Sequence, residues 1–324
     1  MLRRGGYDPP RMRMTAWDHQ NLLQLEGLSR EDIVELLDAA ERHVDVVRGK
    51  APPRATLAGR IVASLFFEDS TRTRGSFAVA AQRLGAAVFD LSGAGSSVSK
   101  GETIVDTALT IEAMGVDGLI VRARPAGAAH LVAEAVRLPV INAGDGRHEH
   151  PTQGLLDLLT MRQHLGDMKG RTVAIVGDIA NSRVARSNLH ALTAVGANVV
   201  LIGPPTLVGE SFRSIAATTA PGSVEVGHEL DPVLPEVDVI MMLRVQFERD
   251  SGVTADYREL YGLTRQRAAR LKPEAIVMHP GPMNRGLEID SEVADDPTRS
   301  VIRAQVTNGV AVRMAVLELL LAPG

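Results

Sequence analysis

The chain has 324 residues, 45% of them hydrophobic but only 3% aromatic, so it can bury two cores of ordinary size built from Ala, Val, Leu and Ile. A formal net charge of −4 excludes a generally basic surface and argues against nucleic acid as the main partner. The absence of cysteine excludes disulfides, thiolate catalysis and cysteine-ligated metal, and fits a reducing compartment such as the cytoplasm.

Residues 1–14 are basic without an apolar core, so they read as a disordered or non-native arm and not as a secretory signal, with Met14 a candidate initiator. No stretch is expected to approach the length of a membrane span, and no membrane partner is expected. Ser29, followed by Ile33, Leu36 and Leu37, predicts an N-capped helix. Eight short apolar runs then recur between helical stretches, at 61–67, 87–91, 118–121, 140–142, 172–176, 199–202, 237–243 and 275–278. Runs apolar on both faces predict parallel sheets covered on both sides, here two groups of four strands. The division falls in 150–168, where Pro151 fits the first turn of a helix carrying Leu155, Leu156, Leu158 and Leu159. The apolar segment 308–321 predicts a closing helix packed on an existing core. The expected fold is α/β: two domains, each a parallel sheet flanked by helices, with the active site in the cleft between them.

Polar motifs follow these strands in order, which places them at the carboxyl ends of the sheets, where ligands of open α/β folds sit. Ser70, Thr71, Arg72, Thr73 and Arg74 fall on the first turn after the first strand. Free backbone N–H groups there, with hydroxyls and guanidinium groups, suit a phosphate. The loop 93–103 is rich in Gly and Ser, carries Lys100, and reads as a lid. Arg122 and Arg124 follow the third strand. His148 and His150 have a spacing that can chelate zinc on a strand. With Pro151 opening a helix, His150 and Gln153 instead share one helical face, suited to polarising a carbonyl and orienting an amide. The turn after 172–176 lacks the glycine spacing of a dinucleotide site and offers Arg183 and Arg186 instead. Arg244 and Gln246 end the next strand. Two or three arginines on one cleft wall suit a dicarboxylate. His279-Pro280-Gly281-Pro282 stiffens the last turn.

Six segments, FFEDSTRTRGSF, SSVSKGET, HEHPTQGLLDLLT, GDIANSRVARSN, LRVQFER and HPGPMNRG, together resemble the aspartate/ornithine carbamoyltransferase family over about residues 15–321. SSVSKGET and RVQ resemble its aspartate branch; the ornithine branch carries a Cys-containing motif where this chain has HPGP. The resemblance implies transfer of the carbamoyl group of carbamoyl phosphate to L-aspartate, giving N-carbamoyl-L-aspartate and phosphate. It places that reaction second in de novo pyrimidine biosynthesis, with neither cofactor nor metal. Carried over by position, Ser70, Arg72 and Thr73 hold the phosphate with Thr71 adding donors. Arg122, His150 and Gln153 bind the carbamoyl group, and Arg122 and His150 polarise its carbonyl. Arg183 and Arg244 clamp the carboxylates of aspartate with Gln246 assisting, while Gly281 and Pro282 supply backbone contacts. Lys100 and a loop serine, Ser97 with Ser96 as the alternative, enter the site of a neighbouring subunit in a homotrimer. Regulatory or dihydroorotase-like chains are further expected partners. The implied domains are 15–149 for carbamoyl phosphate, with helix 305–321 docking back on it, and 150–304 for aspartate.

Overall fold

The computed structural model describes residues 17, 19–92, 101–215, 220–245 and 256–322. In chain order the first half runs α1 (Arg30–Val47), β1 (Ile61–Phe66), α2 (Thr71–Arg83), β2 (Ala87–Ser92), α3 (Ile104–Ala113), β3 (Gly118–Ala123), α4 (Ala128–Ala135), β4 (Val140–Asp145) and α5 (Pro151–Leu165). The second half adds β5 (Thr172–Val176), α6 (Arg183–Ala194), β6 (Asn198–Ile202), β7 (Ser223–Gly227), β8 (Val239–Met242), α7 (Tyr257–Tyr261), α8 (Arg265–Ala268), β9 (Ile276–Met278), α9 (Ser291–Ala294) and α10 (Ile302–Leu321).

Both sheets are parallel, in the orders β2-β1-β3-β4 and β7-β6-β5-β8-β9. All eight anticipated runs are strands. The ninth, β7, is an edge strand whose Ser, Glu and Gly leave it no buried residue, so no apolar run announces it. In each sheet the chain leaves its first strand in one direction and later returns to that strand's other side. The turning points lie between β1 and β3 and between β5 and β8. The segments after these four strands therefore border a crevice, where α/β sheets bind ligands.

Helix α5 joins the two sheets. Gly154 lets it lie close to α6: a Cβ there would stand 2.8 Å from Leu25 and 3.0 Å from the Ser187 backbone. Helix α10 packs on α1, α2 and α5. Residues 302–321 do have the length and hydropathy of a membrane span, which corrects the expectation that no stretch approaches it; 61% of the most apolar window is nevertheless buried within the protein. Two of its polar residues bond to α5: Gln305 donates to Asp157 (2.7 Å), and Asn308 donates to Thr160 (2.9 Å) and Gln163 (3.0 Å).

Because a backbone contact cannot retreat as a side-chain tip can, Gly154→Ala is expected to lose about 1–3 kcal/mol of stability through overpacking, even with alanine's better helix propensity. Urea unfolding read at the midpoint checks this; an unchanged or raised midpoint would show that α5 and α6 separate at no cost.

Candidate active site

The segments after β1, β3, β4, β5, β8 and β9, with α10, line a cavity of about 1310 Å³ between the sheets. It brings together Ser70, Thr71, Arg72, Thr73, Arg122, His150, Gln153, Arg183, Arg244, Gly281 and Pro282. Ser97, Lys100 and Gln246, with Ser96, lie outside the described residues. Among the described residues seven arginines line the cavity against two carboxylates, Glu68 and Asp69, so this lining is strongly cationic in an otherwise acidic protein.

On the first sheet's side, α2 begins at Thr71, with Ser70 in extended backbone at its N-cap. The Ser70 side chain makes no capping hydrogen bond, so hydroxyl and first-turn N–H groups remain available to an anion. Arg72 comes from this turn. Burial, and then the charge of Arg244 from the opposite sheet, hold its guanidinium below its ordinary pKa. Two cations that face one cleft and feel each other's charge favour an anion between them. Gly281 stands beside Arg72, where a Cβ would lie 3.6 Å from the guanidinium carbon.

Next to the anion position, Thr73 Oγ1 is 3.3 Å from His150 Nε2 and accepts a long hydrogen bond from Arg122 (3.5 Å). Arg122 also donates to the Ala143 carbonyl (3.3 Å) and to Glu68 (3.2 Å). His150 caps α5, and Pro151 occupies the first turn, where a missing N–H costs nothing. Its backbone N–H donates to Ser187 Oγ (2.8 Å), which donates in turn to Glu149 (2.8 Å). The same buried Glu149 accepts the N–H groups of Leu25 (2.9 Å) and Glu26 (3.0 Å). Burial, then the charges of Arg313, Arg122 and Arg183, hold His150 well below the usual histidine pKa, so the imidazole is neutral. Gln153 donates its amide to Asp157 (3.0 Å), a fully buried acid that burial pushes up to about 6 against three amide hydrogen bonds.

Glu68 ties the two halves together. Arg183 grips it with both terminal nitrogens (2.9 and 3.1 Å), while Arg122 reaches the same carboxylate from β3. Burial alone would raise its pKa, but the hydrogen bonds and charges of Arg183 and then Arg122 hold it below the ordinary value. Arg183 also lies against Gly144, whose φ of +117° and lack of a Cβ let the guanidinium pass within contact distance. Arg186 is not part of this group; it lies over the Phe212 ring, 5.3 Å from its centroid.

The zinc arrangement suggested by the spacing of His148 and His150 is not formed. His150 faces Thr73, whereas His148 pairs with Asp145 (3.1 Å). His130, Asp145 and His148 do offer ligand atoms within 4.8 Å of one another. The Asp145 oxygens, however, already accept Asn142 (2.8 Å) and the N–H groups of Gly127 (2.7 Å) and Glu149 (3.1 Å), which makes this residue a clamp on the loop after β4.

Glu68, Ser187, Asp157 and Arg313 were not singled out from sequence. Glu68 sits inside the first motif and its charge was visible. The other three reach the site from helix interiors, where only a buried polar residue in an apolar stripe would have marked them.

Comparison with known proteins gives the family to which this fold belongs. The family model described as aspartate/ornithine carbamoyltransferase, carbamoyl-P binding domain, matches residues 20–163, and that of the Asp/Orn binding domain matches 169–320. The chain is 53% identical over 309 residues to the aspartate carbamoyltransferase catalytic subunit of Gluconacetobacter diazotrophicus, covering 94% of each. Its structure resembles aspartate transcarbamoylase from Trypanosoma cruzi in complex with carbamoyl phosphate and aspartate, with a TM-score of 0.83 and 33% identity, covering 93% of this chain and 97% of that one. It resembles ornithine carbamoyltransferase from Pyrococcus furiosus equally, with a TM-score of 0.83 and 30% identity over 93% and 96% of the chains.

If the α2 turn and Arg72 form the anion site, calorimetry detects inorganic phosphate binding that Arg72→Ala weakens by about tenfold or more, the usual worth of a charged hydrogen bond. Undiminished binding would move the site elsewhere.

Proposed function

The chain belongs to the aspartate/ornithine carbamoyltransferase family, and from that premise we propose the reaction and the residues that carry it. It transfers the carbamoyl group of carbamoyl phosphate to the amine of L-aspartate, giving N-carbamoyl-L-aspartate and phosphate. Fold likeness does not choose the acceptor, since the aspartate and ornithine enzymes match it equally well. The observation that carries the choice is the bidentate grip of Arg183 on the Glu68 carboxylate, with Arg244 on the same cavity wall. A carboxylate of aspartate takes that fork by displacing Glu68 from it, whereas the second ammonium group of ornithine would meet like charge.

In this reading Ser70, Thr71, Arg72 and Thr73 hold the phosphate, and Arg122, His150 and Gln153 hold the carbamoyl group. Gly281 and Pro282 give backbone contacts, and Arg183, Arg244 and Gln246 bind aspartate. The uncharged amine attacks the carbonyl carbon, and the C=O electron pair moves onto oxygen beside Arg122, Thr73 and neutral His150. Collapse breaks the bond to the phosphate oxygen, and the departing phosphate takes the proton from the amine. Positioning and oxyanion stabilisation supply the rate, so neither a side-chain nucleophile nor a metal is required.

The assembly we propose is a homotrimer in which Ser97 and Lys100 reach a neighbour's site. Among the described residues, six of the eight large exposed hydrophobic ones, including Val79, Phe89, Met114 and Leu131, lie in the first half of the chain, which supports an interface there. Relatives named catalytic subunits support further partner chains. Residues 15–149 with α10 form the donor half and 150–304 the acceptor half. A cytoplasmic enzyme of pyrimidine biosynthesis is the setting this implies.

Two steady-state measurements test the roles. Arg183→Ala should raise KM for aspartate about tenfold or more, from the loss of a charged pair, with a smaller effect on carbamoyl phosphate; equal effects on both substrates would contradict the assignment. His150→Ala should lower kcat by about 10²–10³, the usual loss for one oxyanion donor. Since His150 stays neutral, the wild-type kcat profile should show no inflection near pH 6.5 that this substitution removes; finding one would make His150 a titrating base.

A further inference from the structure

Gln153 borders the cavity with an amide whose two ends have opposite chemistry: the oxygen accepts hydrogen bonds and the NH2 donates them. Which end faces the cavity decides what the site recognises, and it is settled one helical turn away, at Asp157. Three amides meet on this wholly buried carboxylate, from α5, α6 and α10. Gln305 donates to Asp157 Oδ1 (2.7 Å) while its own oxygen accepts the backbone N–H of His279 (3.0 Å). A backbone N–H only donates, so the Gln305 amide has one possible orientation, with its NH2 on Asp157. Asn188 is fixed in the same manner: its NH2 reaches both Asp157 Oδ2 (2.8 Å) and the Val184 carbonyl (3.0 Å), which only accepts. Both Asp157 oxygens are thus acceptors. Gln153 meets Oδ1 with its NH2 at 3.0 Å, and its oxygen is the end left for the cavity.

We infer that Asp157 is a positioning residue that locks the Gln153 amide with its oxygen toward the ligand, and so selects an acyl phosphate carrying an NH2 group on its carbonyl carbon. The inference rests on the placing of the carbamoyl group beside Gln153 proposed above. Asp157 touches no substrate and acts only through Gln153, the one amide of the three with no backbone group holding it. Discrimination of this kind is strong because a wrong ligand leaves the buried acceptor unpaired.

Asp157→Asn leaves one acceptor oxygen where three amides donate, and combining it with Gln305→Leu decides which way it turns: Asn188, tied to the Val184 carbonyl, takes the remaining oxygen, and the new NH2 meets Gln153, which turns over and presents its own NH2 to the ligand's NH2. Binding of carbamoyl phosphate, acetyl phosphate and inorganic phosphate is measured by calorimetry for the wild-type protein and, in a Gln305→Leu background, for the background itself, Asp157→Asn, Gln153→Ala and their combination. The expected result is a loss of about tenfold or more for carbamoyl phosphate when Asp157→Asn is added to that background, against a change within about twofold for the other two ligands. In the Gln153→Ala background the Asp157 substitution should have no further effect on the carbamoyl-to-acetyl ratio. A parallel change for all three ligands, or no change for any, would reduce Asp157 to a structural role and overturn the inference. The wild-type protein supplies the test even if Asp157→Asn does not fold: carbamoyl phosphate must bind about tenfold or more tightly than acetyl phosphate, and equal binding refutes the locked orientation. Should Gln153→Ala leave carbamoyl phosphate binding intact, it is the underlying placing of the carbamoyl group that fails.

Discussion

Everything in the cleft depends on holding cations from two separate sheets close together. Two unit charges about 4 Å apart repel by roughly 4 kcal/mol at the effective dielectric of a protein surface, and seven guanidinium groups line this one cavity. Glu68 offsets part of that cost by accepting Arg122 from β3 and Arg183 from α6, which also fastens the halves across the crevice. One such carboxylate cannot balance the whole set. Burial, and then the charge of Arg244 from the facing wall, lower the pKa of Arg72. In the proposed reading an anion on the α2 turn and a dicarboxylate on the facing wall add further negative charge to this cationic cleft. Electrostatics and specificity therefore come from the same residues.

A second requirement is backbone precision at strand ends, where loops leave the sheet with donors that water cannot reach. The chain meets it with buried carboxylates placed behind the site. Glu149 gathers N–H groups from residues 25 and 26 and, through Ser187, holds the one at His150. Asp145 gathers the loop around Gly127 and Glu149, and Asp157 the amides of three helices. None of these acids needs to touch a ligand. Each leaves donors unsatisfied if removed, at about 1–3 kcal/mol per group, and so keeps the reacting side chains at fixed distances.

Much of this was legible in the sequence because the fold maps pattern onto position simply. Apolar runs between helical stretches implied parallel sheets, and six polar motifs, each directly after a strand, implied one rim. What the pattern did not carry was strand order, or which side of α6 meets the cleft: Arg183 and Arg186, a turn apart, end on Glu68 and over Phe212. The edge strand β7 was missed because a half-exposed strand of Ser, Val, Glu and Gly has no apolar run. Asp157, Gln305 and Arg313 were missed because their importance lies in contacts between helices far apart in the chain. The membrane-length α10 shows the same limit: composition gives its hydropathy, and only packing on α1, α2 and α5 explains it.

The central claim is that the two anion-binding faces are built for carbamoyl phosphate and aspartate. Carbonyl-labelled carbamoyl phosphate, offered to the purified protein with equal concentrations of aspartate and ornithine, tests it most directly. The account predicts labelled N-carbamoyl-aspartate and phosphate in equal amounts, with citrulline absent. Labelled citrulline as the main product, or phosphate released without any carbamoylated amine, would contradict it.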